Sequence, residues 1–281
     1  MNIKDIIGNK LTDISVAVVG VPYDENSSFM KGSAKAPPKI RQAFNSDSTN
    51  KCTESGRDLS TQTNFYDVGD LVLKKGLNVL SYIEHIYLEL LDNHVKILSL
   101  GGDHAVTLPI IRAYEKHFPE LNILHFDAHP DLYDDFEGNR YSHACPFARI
   151  MEEGLVKKLV QVGIRCMTPH QQEQADRFNV TVIDMKSWPK GLAKLRFDGP
   201  VYISLDLDVL DPAYAPGVSH HEPGGLRTRD VISVIQQLKA PIVGADIVEY
   251  NPVQDINGMT SMVAAKLMKE LADKMLLKSN F

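Results

Sequence analysis

The chain has 281 residues, is 43 % hydrophobic and carries a formal net charge of −6, which are ordinary values for a globular protein with a sizeable core. The charge argues against a broad nucleic-acid-binding surface, which needs clustered Lys and Arg, and no apolar run approaches the roughly 20 residues that cross a bilayer. The cysteines are odd in number and widely spaced, at Cys52, Cys145 and Cys166. This argues against a disulfide framework and against a thiolate zinc site. With no leader-like apolar core at the N-terminus, these features predict a cytoplasmic protein.

Apolar runs rich in Val and Ile alternate with amphipathic segments along the chain. The runs are continuous, as is typical of strands covered on both faces, and they span 14–21, 95–100, 121–126, 159–164, 180–184, 201–207 and 241–248. The amphipathic segments, which predict helices, span 79–94, 107–118, 229–239 and 260–275. This alternation predicts an α/β fold with a mostly parallel sheet between helices. The polar segment 44–64 is interpreted as a surface excursion, so residues 1–281 are expected to form a single domain.

Charged side chains stand at the ends of four predicted strands. In open parallel sheets, ligands bind outside the carboxyl ends of the strands, so we expect these side chains to share one site. They are Asp103 and His104 after 95–100, Asp127, His129 and Asp131 after 121–126, Asp206 and Asp208 near the end of 201–207, and Glu249 after 241–248.

Alternate residues of an extended chain project to the same side, which gathers the acids of each motif on one face. Crowded, buried carboxylates need a cation to offset them. Each motif alone has another interpretation: Gly-Gly-Asp-His as a turn, Asp-x-His-x-Asp as a solvated loop, and Asp-x-Asp as a helix cap. Their joint order along the chain favours a site for two divalent ions, with these ligands: His104, Asp127, His129, Asp131, Asp206 and Asp208.

Oxygen and nitrogen ligands without thiolate favour two Mn²⁺ ions, with other divalent transition metals possible and Ca²⁺ and Mg²⁺ disfavoured. Two ions about 3.5–4 Å apart lower the pKa of a shared water from 15.7 towards about 7, which predicts hydrolysis. Glu249 is not needed as a ligand and is free to hold a cationic substrate, the alternative being an ordinary ion pair. His143, expected to start a helix with Ser142 as its N-cap, is a candidate proton donor to a departing amine, although such a histidine is often structural.

The segments "GGDH", "DAHPD", "SLDLDVLDPAYAPG" and "GADIVEYNP", in this order, resemble the ureohydrolase (arginase/agmatinase) family. The resemblance is strongest to plant-type arginases and extends to 26–41, 136–154, 161–165, 215–226 and 255–267. It implies a three-layer α/β/α fold, a binuclear manganese centre, a trimer or hexamer, and hydrolysis of a guanidino group to urea and an amine.

The resemblance also implies a role for each site residue. One ion would be held by His104, Asp127, Asp131 and Asp206, and the other by His129, Asp208 and the bridging Asp127 and Asp206. Glu249 would accept the guanidinium, Asp131 would hydrogen-bond the attacking hydroxide, His143 would transfer a proton, and Asp246 would support the ligands.

The chain departs from the family pattern at Ala105, at Ala144 and at 166–168. In the last of these, 166–168, it lacks the acidic residues with which animal-type arginases hold the substrate's α-amino group. The far end of the substrate is therefore expected to meet the loop 132–141. Asn139 and Arg140 in that loop are the first substrate-binding candidates. The next candidates lie outside the loop and are His220 and His221.

L-arginine is the predicted substrate, with agmatine, guanidinobutyrate or formiminoglutamate as alternatives. A non-catalytic, metal-binding assembly protein is an alternative of another class, disfavoured because such a relative would be free to lose a ligand. A metallophosphoesterase would place basic or amide groups where this chain has Glu249. No nucleic acid or membrane is expected as a partner.

Overall fold

The computed structural model describes residues 15–73 and 78–277. The N-terminal segment 1–14, on which the expectation about a leader falls, lies outside this part of the chain. The described strands are β1 (Val16–Gly20), β2 (Phe65–Asp70), β3 (Lys96–Leu100), β4 (Asn122–Phe126), β5 (Lys158–Ile164), β6 (Thr181–Asp184), β7 (Val201–Asp206) and β8 (Ile242–Val248). They form one eight-stranded sheet in the order β2-β1-β3-β8-β7-β4-β5-β6, and every pairing is parallel.

Each apolar run of the sequence forms one strand, and the predicted α/β fold is confirmed. Every residue of β1, β3, β4, β7 and β8 is buried, because helices cover both faces of the sheet. The strand β2 was not predicted, since it lies at an edge and its sequence FYDVGD carries acids and a glycine that disfavour strands.

Seven helices lie in the described ranges: α1 (Ala36–Phe44), α2 (Val79–Leu91), α3 (Thr107–His117), α4 (Pro146–Glu152), α5 (Pro169–Arg177), α6 (Thr228–Gln237) and α7 (Met259–Met275). One core layer packs α1, α6 and α7 against the sheet through Ile40, Ile235 and Leu271. The opposite layer packs α2 and α3 through Ile83 and Ile110. The predicted helices α2, α3, α6 and α7 are confirmed within two residues at most boundaries.

The helices α1 and α5 were not predicted, and α4 was expected with an earlier start; all three are short and have proline in the first turn. Proline fits there because the first-turn N–H groups have no partner within the helix. The expected helix start at Ser142 and His143 was wrong. The helix begins at Pro146 with Cys145 at its N-cap, and 142–145 form turns that lead His143 into the site. That residues 1–281 form a single domain stays a prediction.

The four strands that carry the predicted site residues are the four central ones, in the order β3-β8-β7-β4. Neighbouring strands lie about 4.8 Å apart, so their carboxyl ends bring side chains that are far apart in sequence into contact. Short 3-10 turns follow two of them, His104–Val106 after β3 and Leu207–Val209 after β7.

Candidate metal centre and active site

The first ligand cluster surrounds the buried imidazole of His104. Its Nδ1 lies 3.2 Å from Asp127 Oδ2, 3.1 Å from Asp131 Oδ2 and 3.1 Å from Asp206 Oδ2. Two ligand atoms at right angles, each about 2.1 Å from one ion, are about 3.0 Å apart. Each of the three carboxylate oxygens therefore lies at ligand-to-ligand spacing from His104 Nδ1.

The proton on His104 is fixed by a buried hydrogen-bond chain. Its Nε2 lies 2.9 Å from Ser204 Oγ, and that hydroxyl donates to Asp246 Oδ1 at 2.8 Å. The hydroxyls of Tyr202 and Thr107 donate to Asp246 Oδ2, each at 2.9 Å. Because Ser204 gives its only proton to Asp246, it accepts from His104, and the imidazole carries its proton on Nε2.

The opposite nitrogen of His104 is then a lone pair that faces three carboxylates. It is fully buried and has no hydrogen-bond partner among the described residues. A buried acceptor surrounded by anionic acceptors is unfavourable unless a proton or a metal ion lies between them. Burial lowers the pKa of His104, but the three carboxylates outweigh it and raise the pKa well above its usual range, so they favour a cation at this point. This arrangement fits a bound metal ion, with the histidine tautomer set by its outer partner.

The second cluster centres on His129, whose Nδ1 lies 3.0 Å from Asp208 Oδ2 and 3.4 Å from Asp127 Oδ1. These three residues have ligand atoms close enough to share one ion. Asp127 thus turns Oδ1 towards this cluster and Oδ2 towards the first. A single carboxylate between two ligand sets is the geometry of a bridging ligand in a two-metal site.

The pKa values of the ligand residues show that positive charge stabilises both clusters. Burial, followed by the charges of Asp208 and Asp127, raises the pKa of Asp206 well above its usual range. Burial and then Asp127 likewise raise the pKa of Asp208. Burial lowers the pKa of His129, but Asp208 and Asp127 outweigh it, so the pKa rises. Divalent ions would take the place of these protons, as metal binding at such sites releases them.

His125 is a supporting residue that the sequence analysis missed. Its Nε2 lies 2.8 Å from Asp127 Oδ2, and its ring stacks on Phe147 with centroids 3.9 Å apart. The amide nitrogen of Gln161 contacts His125 Nδ1 at 3.0 Å and donates to the carbonyl of Pro130 at 2.6 Å. Gln161 thus makes Nδ1 an acceptor and leaves Nε2–H to donate to Asp127. Both ring nitrogens are engaged, so His125 orients the bridging carboxylate and is not counted as a metal ligand.

We expect His125→Phe to weaken Mn²⁺ binding by about 10- to 100-fold, the usual effect of removing a partner that orients a metal ligand. Gln161→Leu should act in the same direction, because it releases the His125 tautomer. Equilibrium titration of the metal-free protein measures both. The control is His117→Phe, since His117 also contacts a carboxylate, Asp92 at 3.1 Å, and that carboxylate is not one of the proposed metal ligands. Wild-type affinity in both His125→Phe and Gln161→Leu would contradict the role.

Glu249 and His143 form a pair on the wall of a cavity that four of the proposed metal ligands also line. His143 Nδ1 lies 2.8 Å from Glu249 Oε1, which also accepts from the backbone N–H of His104 at 2.9 Å. The backbone N–H of Ser28 donates to His143 Nε2 at 3.1 Å, which favours an unprotonated Nε2. Burial lowers the pKa of His143, but the charge and hydrogen bond of Glu249 outweigh it and raise the pKa to about 9. Nε2 is therefore the atom that exchanges a proton.

Two of the site carboxylates stand on left-handed backbone, with φ of 52° at Asp131 and 60° at Glu249. This conformation is uncommon for residues other than glycine and marks positions that the surrounding structure over-determines. Asp131 thus reaches His104 through a turn, and not by the extended alternation expected from the sequence. The backbone of Gly102 passes so close to Tyr23 that a Cβ would lie 1.8 Å from its carbonyl oxygen, which requires glycine after β3.

The two loop residues expected to hold the substrate's far end do not line the cavity. Arg140 is exposed, and its guanidinium contacts Glu152 Oε2 at 3.1 Å. Asn139 donates to Asn26 Oδ1 at 3.2 Å and accepts from the backbone N–H of Tyr141 at 2.9 Å. Their direction depends on partners in α4 and in the segment around residue 26, which a local pattern does not reveal.

Of the two neighbouring histidines, His220 lines the cavity and His221 does not. The ring centroid of His220 lies 5.3 Å from that of His143 and 5.8 Å from that of His129. Burial, then the charge on His143, lowers the pKa of His220, so it adds no positive charge. His221 Nε2 instead contacts the carbonyl of Pro216 at 2.7 Å.

Away from the acids, the cavity wall is neutral. It includes Tyr133, Phe136, Cys166, Thr168 and Gln171, and no Lys or Arg of the described chain lines it. This leaves a cavity with a strongly acidic floor and hydrogen-bonding or aromatic walls. It suits a cationic head group whose tail is recognised by uncharged groups.

Comparisons with known proteins agree with this geometry. A sequence model described as "Arginase family" matches residues 14–273. The chain is 47 % identical to "Arginase 1, mitochondrial" of Arabidopsis thaliana, over 92 % of this chain and 81 % of that protein. It is 36 % identical to an agmatinase of Blochmanniella floridana, over 90 % and 86 % of the two chains. The solved arginase from Medicago truncatula superimposes with a TM-score of 0.88 at 44 % identity, covering 93 % of this chain and 87 % of that one.

The expectation of a cytoplasmic protein was wrong. The plant relatives have names that place them in organelles, mitochondria for Arabidopsis and Medicago proteins and chloroplasts or mitochondria for a second Arabidopsis protein. Cysteine number and the lack of a bilayer-spanning run, on which the expectation rested, do not distinguish the cytoplasm from an organelle interior. No helix in the described ranges is long and apolar enough to span a membrane.

Proposed function

This chain belongs to the arginase family, a family of hydrolases with binuclear metal centres, and from that premise we propose that it hydrolyses L-arginine to urea and ornithine with two Mn²⁺ ions as cofactors. The observation that carries the proposal is the shared carboxylate of Asp127, which faces one imidazole with each oxygen, beside the Glu249–His143 pair. When bound, the ions would lower the pKa of water and so supply hydroxide at neutral pH. Their ligands would be His104, Asp127, His129, Asp131, Asp206 and Asp208.

Glu249 receives the guanidinium in this proposal. Its Oε1 already accepts two hydrogen bonds, while its Oε2 makes none with the described residues. Burial raises the pKa of Glu249, but His143 outweighs it and holds the pKa below the usual range, so the carboxylate is charged. A free, charged oxygen in a buried wall is a good acceptor for guanidinium N–H groups.

His143 and Asp131 have the proton-handling roles. Asp131 accepts a hydrogen bond from the attacking hydroxide and orients it towards the guanidinium carbon. The charge of Glu249 stabilises the tetrahedral intermediate. Below its raised pKa, His143 takes a proton from solvent at Nε2, in place of the hydrogen bond that Nε2 now accepts from Ser28. It then gives that proton to the departing amine nitrogen, while its Nδ1–H remains bonded to Glu249. Ornithine and urea then leave.

Urea release by the Mn²⁺-loaded protein tests the substrate, with L-arginine, agmatine and 4-guanidinobutyrate assayed side by side. We expect the highest kcat/KM with L-arginine. A preference for agmatine would reassign the enzyme to agmatine hydrolysis, and the absence of urea from all three would overturn the proposed reaction. A phosphoesterase is disfavoured because no described Lys or Arg lines the cavity, and a non-catalytic assembly protein because the ligand set is complete.

We also propose a homo-oligomer, a trimer or hexamer, with no nucleic acid or membrane partner. The loop before α7 and its first residue expose apolar side chains that a second copy could cover, since Val253, Ile256 and Met259 are 57 %, 56 % and 52 % exposed. Light scattering coupled to size-exclusion chromatography measures the mass. A monomer at micromolar concentration would contradict this proposal.

A further inference from the structure

At the neutral end of the cavity, the side-chain amide of Gln171 uses only its oxygen in hydrogen bonds with the described residues. Gln171 lies in the first turn of α5, is 3 % exposed and lines the cavity that four of the six proposed metal ligands also line. Two residues earlier, Pro169 opens the helix, and Thr168 is its N-cap. A substrate held by Glu249 would have to place its tail against walls of this kind, because the floor is acidic.

The orientation of the Gln171 amide is fixed by the helix cap. The backbone N–H and the hydroxyl of Thr168 both donate to Gln171 Oε1, at 3.3 Å and 3.2 Å, and Thr168 Oγ1 accepts from the backbone N–H of Gln171 at 3.3 Å. A backbone N–H is only a donor, so the amide atom that faces it has to be the oxygen. The amide cannot turn over without losing this capping box.

The amide nitrogen of Gln171 is consequently left for the cavity. It makes no hydrogen bond with any residue of 15–73 or 78–277, and it is not among the fully enclosed atoms that lack partners. The group therefore offers N–H donors and no acceptor. It also sits at the N-terminal end of α5, where the helix dipole favours negative charge.

The structure assigns Gln171 as the residue that determines substrate specificity, by donating from Nε2 to a carboxylate at the far end of the guanidino substrate. This assignment rests on the proposed hydrolysis. A locked donor attracts a carboxylate and opposes an ammonium group. L-arginine can turn its carboxylate towards Gln171, whereas agmatine has only an ammonium group at that end. The cavity thus selects guanidino acids with a neutral amide, without a Lys or Arg in the described wall.

The decisive variant is Gln171→Glu. A glutamate at this helix position still accepts from Thr168, as in the standard capping box, but it turns a carboxylate oxygen to the cavity in place of the N–H donors. We expect kcat/KM for L-arginine to fall about tenfold or more, which is the scale of a hydrogen bond to a charged group. The value for agmatine should stay unchanged or rise, and the Mn²⁺ content should equal that of the wild type.

Two further variants separate this role from general effects. Gln172→Glu adds the same charge at the next position, which is exposed, and should leave the ratio of arginine to agmatine kcat/KM unchanged. Gln171→Met removes the donor without adding charge and should lower that ratio less than the glutamate does.

The outcomes distinguish this inference from the proposed function. If the wild type hydrolyses L-arginine but Gln171→Glu changes kcat/KM equally for both substrates, the specificity role is overturned and the proposed function stands. If the wild type releases urea from no guanidino compound, both are overturned. A fall confined to L-arginine supports the assignment.

Discussion

Asp127→Asn is expected to remove both metal sites at once and to lower urea release a thousandfold or more, because water without the ions keeps a pKa of 15.7. The amide has nearly the same shape as the carboxylate. It lacks the negative charge that now faces His104 with one oxygen and His129 with the other. An NH₂ group cannot bind an ion, so at least one of the two clusters loses a ligand, and the loss of charge weakens the other.

Metal content after dialysis, measured by mass spectrometry of the digested protein, should fall from two ions per chain to below one. The matched control is Asp184→Asn. Asp184 also ends a strand at the same edge of the sheet, and it caps a turn through the backbone N–H of Ser187 at 2.8 Å, outside the cavity. It should retain both metal and activity. Two ions and full activity in Asp127→Asn would rule out a bridging role.

The site residues at the carboxyl ends of the strands were predictable because their positions follow from sheet geometry. Each follows a continuous apolar run, and such runs form the interior strands of a parallel sheet. The sequence does not state that β3, β8, β7 and β4 are neighbours, but four charged strand ends make sense only if the strands are adjacent. Backbone geometry alone then brings Asp127, Asp206 and His104 within ligand distance.

Side chains that support these ligands were harder to predict, for physical reasons that differ from case to case. His125 precedes Asp127 by two residues and lies on the same side of β4. The alternation of side chains along a strand could therefore have predicted that it contacts Asp127. Gln161 reaches the site from β5 and Ser204 from β7, inside runs that appear simply apolar. Their roles depend on cross-strand register, which hydrophobic periodicity does not fix.

The loop that follows β4 shows the limit of local patterns. Ser142 resembles an N-cap, yet the helix begins only at Pro146. The residues between them form turns that place His143 in contact with Glu249. Arg140 could in principle face either way, and its direction is set by Glu152, the last residue of α4. Both outcomes depend on tertiary partners, and neither residue type nor spacing records them.

Glu249→Gln is expected to separate chemistry from metal binding. The glutamine can still accept from the backbone N–H of His104 and from His143 Nδ1, the two bonds that Glu249 Oε1 accepts now. The neighbouring metal ligand should therefore keep its position, and the Mn²⁺ content should remain at two. What disappears is the buried negative charge beside the substrate. Removing one such electrostatic partner of a transition state lowers the rate about a hundredfold to a thousandfold.

Steady-state urea release and metal content, measured on the same Glu249→Gln preparation, check this expectation. The control is Glu222→Gln, because Glu222 lies near the cavity, with its carboxylate 3.9 Å from Cys166 Sγ, but does not line it. Unchanged turnover in Glu249→Gln would remove the proposed contact with the guanidinium. Joint loss of metal and turnover would instead mean that Glu249 serves to hold the loop of His104, since its charge also fixes that backbone N–H. Only loss of turnover with both ions retained makes Glu249 the group that binds the guanidinium.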